Sequence, residues 1–135
     1  MPEQNKQQVK LKVATVKMGA LEFEGLRNPE SKGFRIGVSQ VAELFFSATP
    51  QHATKYVKRA LGEDSSLSQY PTELNSNPVN TINLEQFRKV ILHFAYKGNP
   101  DAKLMNEVLI GVSLENFFND AFGIKNTPEN NQTVA

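Results

Sequence analysis

The chain has 135 residues, with 15 Lys and Arg against 14 Asp and Glu, a net charge of +1 and a pI near 8.0. That length suits one domain with its own core, and so balanced a charge excludes the strongly basic composition of avid, non-specific nucleic-acid binders; a charged partner has to be met by a local patch. Cysteine is absent, which excludes a disulfide framework, a thiolate metal site and a thiol nucleophile, and no apolar run approaches the roughly 18 to 20 residues of a membrane span. A soluble, cytoplasmic protein with no membrane partner is the expectation, since MPEQNKQQ is not followed by a signal-peptide core.

Residues 1–8 are polar and without period and read as a frayed leader to a single domain over 9–123. In VKLKVATV, Val9, Leu11, Val13 and Thr15 alternate with Lys10, Lys12 and Ala14, the period of a strand with one face on a core. LEFEGL repeats that period after Met18-Gly19-Ala20, which predicts an antiparallel hairpin with lysines facing glutamates. NPESKG is rich in turn formers, and FRIGV behind it reads as a third short strand.

From Ser39 the period becomes helical. Val41, Ala42, Leu44 and Phe45 mark a helix over 39–46, with Ser39 as N-cap. Thr49-Pro50 starts a second helix, whose apolar stripe is Ala53, Tyr56, Val57, Ala60 and Leu61 and whose stop is Gly62. Its other face carries Gln51, Thr54, Lys55, Lys58 and Arg59. Residues 63–80 read as a surface loop leading to a short strand over 79–82.

Asn83 and Gln86 have capping-box spacing and open a helix over 84–97, with Leu84, Phe87, Ile91 and Phe94 as its buried stripe. Asn99-Pro100-Asp101 opens a last helix to about Phe122, in which Gly111 marks a close crossing, a kink, or a break with Ser113 as a second cap. Residues 124–135 lack apolar content and read as a disordered tail. The sum is an α+β fold: a small antiparallel meander of three to four strands packed against four to five helices.

Little here suggests catalysis, and no enzyme is expected. His52 and His93 lack zinc-ligand spacing, so no metal is expected. Glu22 and Glu24 sit among lysines as a solvated strand face, and Gly33 and Gly37 are isolated rather than parts of a phosphate loop, so no cofactor is expected either. The basic helix is the richest stretch. A helix at 39–46, a short turn and a helix at 50–61 have helix-turn-helix lengths. Gln51 and Thr54 have the chemistry to meet bases, and Lys55, Lys58 and Arg59 to meet phosphates or guanine of double-stranded DNA. Lys10 and Lys12 could track flanking phosphates, and a homodimer would double a small contact. The other reading of the same helix is a core lid with a wet face. A rival of another class is a protein-interaction module or homodimeric regulator without nucleic acid, with Phe117, Phe118 and Phe122 of ENFFNDAF at the partner interface.

The order of these pieces carries a resemblance. A meander leading into VSQVAELFF, then PQHATKYVKRALGED, then NTINLEQFRKVILHFAYKGNPDAKLMNEVLIG resembles the phage and viral Bro-N and KilA-N type domains, N-terminal modules of many phage antirepressors. Thr81 to Glu85 with Val90 and Ile91 matches one segment of that pattern, and Pro100 to Lys103 with Val108 another; the tryptophan usual in the last helix is absent. Spanning roughly residues 21–123, the resemblance implies an α+β domain that binds DNA or a regulatory protein, with Lys55, Lys58 and Arg59 as contact residues.

Overall fold

In the computed structural model, which describes residues 9–46, 50–65 and 67–125, a two-residue turn at Gly19-Ala20 joins β1 (Lys12–Met18) to β2 (Leu21–Arg27). Gly19 supplies the positive φ of 62° that so tight a turn demands. Lys17 stands opposite Glu22 and Thr15 opposite Glu24. β3 (Phe34–Gly37) pairs with β2, β5 (Val79–Asn83) with β3, and β4 (Ser68–Tyr70) with β5, giving a five-stranded antiparallel sheet of order β1-β2-β3-β5-β4.

Five strands exceed the three to four expected. The additional one, β4, is the tripeptide SQY, too short and polar to show a period of two, and its pairing with β5 is set by tertiary context. The sheet also curls until its edges meet. Leu11, just before β1, forms a parallel bridge with Thr72, just after β4: the Leu11 amide donates to the Pro71 carbonyl at 2.9 Å and the Glu73 amide to the Leu11 carbonyl at 3.0 Å.

That closure corrects the expected facing of β1. The main core lies on the side of Val16 and Met18, opposite Phe23 and Leu21, and not on the side of Val13 and Thr15. Thr15 is exposed and Val13 half-buried, whereas Leu11 is fully buried because residues 71–73 close over it.

β3 runs directly into α1 (Val38–Phe46), so Ser39 lies inside the first turn rather than capping it. α2 (Pro50–Leu61) follows and ends at Gly62, whose φ is +109°. The leader over 1–8, the Thr49 cap, the side chain of Gln51 and the tail from 126 lie outside the described residues. The loop containing β4 leads through β5 into α3 (Leu84–Tyr96), where the Asn83–Gln86 capping box forms: the Gln86 amide donates to Asn83 Oδ1 at 2.8 Å and the Asn83 amide to Gln86 Oε1 at 2.9 Å.

The last predicted helix is two, α4 (Pro100–Val108) and α5 (Leu114–Ala121), with Gly111 in the turn between them and Ser113 capping the second. Asn99 caps α4 through Oδ1 and binds the Phe45 carbonyl at the end of α1 through Nδ2 at 2.7 Å. Beneath the helices Phe118 packs on Phe34 and Phe23, with ring centroids 5.4 Å and 5.9 Å away, and Phe87 meets Phe23 edge-on at 5.6 Å. No helix among the described residues is long and apolar enough to cross a membrane.

Candidate nucleic-acid interface

At about 100° per residue, α2 turns Ala53 and Val57 onto the core, where both are buried, and His52, Lys55 and Arg59 outward, where all three are exposed. Lys58 lies on the flank between these faces and is half-buried. Lys58 and Arg59 occupy the last turn, where the negative end of the helix dipole favours cations. The Arg59 guanidinium lies 5.5 Å from the Tyr56 ring centroid, which holds a long side chain against the helix. Among the described residues no carboxylate forms an ion pair with Lys55, Lys58 or Arg59; the ion pair present, Lys12 with Glu73 at 3.7 Å, is elsewhere.

Thr54 is placed differently from these cations. Its Oγ1 accepts a hydrogen bond from Asn80 Nδ2 at 3.3 Å, and Asn80 Oδ1 accepts one from Gln69 Nε2 at 3.1 Å. This relay joins α2 to β5 and β4 and floors a cleft of about 250 Å³ lined also by Ser39 and Pro78. Thr54 therefore anchors the helix. Lys10 lies just before β1 and Lys12 opens it, with Lys12 held by Glu73, so the candidate contact cations fall into two groups on different elements.

The aromatic segment faces largely inward. Phe118 is fully buried, Phe122 packs on Phe34 with centroids 5.7 Å apart, and Phe117 is half-buried beside Thr15 and Lys17. Apolar side chains do reach solvent elsewhere: Tyr96 is 90% and Leu92 44% exposed, one helical turn apart on α3, in a groove of about 450 Å³ walled by Lys103 and Glu107 of α4.

His52 is exposed; His93 stacks edge-on to Phe94 at 4.8 Å and its Nε2 is buried without a hydrogen-bond partner among the described residues. No group of three or more His, Asp or Glu among the described residues is placed to hold a metal ion.

Sequence reading missed Arg35 and Tyr70. Burial holds the Arg35 guanidinium below its ordinary pKa, while Tyr70 pushes it the other way. The signal available was Arg35 alone among apolar neighbours in FRIGV; Tyr70 lay in the unrecognised strand. No family model, curated protein or solved structure matches the chain.

Proposed function

We propose that the protein is a regulatory domain that binds duplex DNA through the outward face of α2. The observation that carries this reading is a set of three cations on one helix, Lys55, Lys58 and Arg59, with no internal carboxylate partner among the described residues. The resemblance of the chain to Bro-N and KilA-N type domains points the same way. Contacts are led by the phosphate backbone: Lys55 and Arg59 meet phosphates along the helix, and Lys58 joins from the flank. Because Thr54 is bonded to Asn80, insertion of this helix with Thr54 against bases is disfavoured, and selectivity rests on Gln51 and DNA shape.

The test is fluorescence anisotropy of mixed-sequence duplex DNA across a salt series, for the wild-type protein and for a triple Ala variant at Lys55, Lys58 and Arg59. Affinity should fall linearly with salt on a log–log scale, and the triple variant should make that slope shallower by about two to three. Absence of binding at low salt, with the variant indistinguishable from wild type, would leave α2 as a core lid.

A second reading, a homodimer joined through the α3–α4 groove, is favoured by the exposure of Tyr96 and Leu92 beside Lys103 and Glu107. Those two charges lie one turn apart on α4. A two-fold axis passing between these two positions would set each lysine against the glutamate of the other copy, an arrangement in which the surface complements itself. The interface then lies on α3 and α4 rather than on Phe117, Phe118 and Phe122.

A further inference from the structure

Arg35 points away from the helical core, on the same sheet face as Thr81, and lines a small cleft with Tyr70, Asn28, Ser31 and Asn83. Three features fix its guanidinium. Nε donates to Thr81 Oγ1 at 2.6 Å, Thr81 Oγ1 in turn donates to the Ser68 carbonyl at 2.9 Å, and the Arg35 Cζ lies 5.4 Å from the Tyr70 ring centroid. The two terminal amino groups have no hydrogen-bond partner or carboxylate among the described residues, and they are not sealed from solvent. Half-buried charges are ordinarily compensated, and a planar guanidinium held from one edge and one face offers its remaining donors as a fork matched to an oxyanion.

We propose that this cleft is a receptor for one phosphate-type oxyanion, held by the terminal amino groups of Arg35 with the Tyr70 ring beneath the guanidinium. Its volume of about 120 Å³ equals that of about four waters, room for one tetrahedral oxyanion and not for a nucleoside. Ser31 Oγ accepts from the Gly33 amide at 3.3 Å, which leaves its hydroxyl hydrogen to donate at the rim. Glu30 and Glu85, the acids nearest in sequence to the rim residues, do not line the cleft. Thr54 occupies the other face of β5, bound to Asn80, so the receptor and the basic face of α2 are separate features.

The experiment follows the Arg Nε–H resonances of the ¹⁵N-labelled protein during titration with inorganic phosphate, against sodium chloride at matched ionic strength. A saturable shift of Arg35 and of the Tyr70 and Thr81 amides with phosphate alone is expected. Arg35→Gln should abolish it, and Arg35→Lys, which keeps the charge and loses the fork, should weaken it about tenfold. An identical drift with chloride, or a saturable response that survives in Arg35→Gln, overturns the proposal. Anisotropy with duplex DNA identifies the source of the oxyanion. A salt slope about one unit shallower in Arg35→Gln marks a backbone phosphate, and an unchanged slope with the phosphate response lost marks a free phosphate ligand. The triple α2 variant should keep the Arg35 response whether or not it binds DNA, so failure of one reading does not decide the other.

Discussion

Asn80 of β5 donates from Nδ2 to Thr54 Oγ1 on α2 at 3.3 Å, while its Oδ1 accepts from Gln69 of β4, so one side chain fastens the basic helix to the sheet edge. Thr54→Val removes the acceptor without changing shape and leaves the Asn80 amide short of a partner. Loss of about 0.5–1.5 kcal/mol in stability is expected by urea denaturation. Duplex affinity of the folded variant should be unchanged. A tenfold loss of affinity would put Thr54 against bases.

Gly25 lets the ring of Phe118 lie directly on β2. A Cβ there would fall 2.6 Å from Val16 Cγ2 and 2.7 Å from Phe118 Cε2, closer than real carbon contacts, and both neighbours are fully buried. Gly25→Ala should therefore cost about 1–3 kcal/mol, the usual range for overpacking a filled core. Gly111→Ala is the control: nothing lies within 4 Å of its Cβ, so stability should stay within about 0.5 kcal/mol of wild type.

Helix ends were the most legible part of the sequence because caps are local: the Asn83–Gln86 box and the Asn99-Pro100 start both form as read. Ser113 was legible only as one alternative, since Gly111 suits a crossing, a kink or a break. The facing of β1 misled because both of its sides carry apolar residues, and the burial of Leu11 depends on Thr72, 61 positions along the chain. Helical period put Thr54 on the wet face, but its flank meets Asn80, a long-range contact that periodicity does not carry. Arg35 went unread although it stands alone among apolar neighbours in FRIGV, and that Tyr70 lies against it depended on the strand that three polar-biased residues concealed.

Asn99 has two duties that separate chemically. Its Oδ1 caps α4 at the Ala102 amide, 3.0 Å away, and its Nδ2 holds the Phe45 carbonyl at the end of α1. Asn99→Asp keeps the cap and loses the donor to Phe45, whereas Asn99→Ala loses both. Thermal or urea unfolding should rank them wild type, then Asp, then Ala, with Ala lower by about 1–3 kcal/mol. An Asp variant as unstable as Ala would mean that the Phe45 bond dominates and the cap contributes little.

The α3–α4 groove makes a prediction that charge alone can decide. In the proposed homodimer, with its two-fold axis passing between Lys103 and Glu107, each lysine would meet the glutamate of the other copy, and each exposed pair would contribute roughly 0.2–1 kcal/mol. Glu107→Lys turns both attractions into repulsions, so dimerisation measured by sedimentation equilibrium should weaken on the order of tenfold. The double exchange Lys103→Glu with Glu107→Lys restores opposite charges across the axis and should recover it. Tyr96→Ser removes the most exposed ring of the groove, 90% accessible in one copy, and should leave a monomer with unchanged stability because that ring contributes little to the core. Recovery in the double exchange is the decisive result, since no change in folding or net hydrophobicity distinguishes it from the wild type; a double variant as monomeric as Glu107→Lys would remove the groove from consideration as a self-interface.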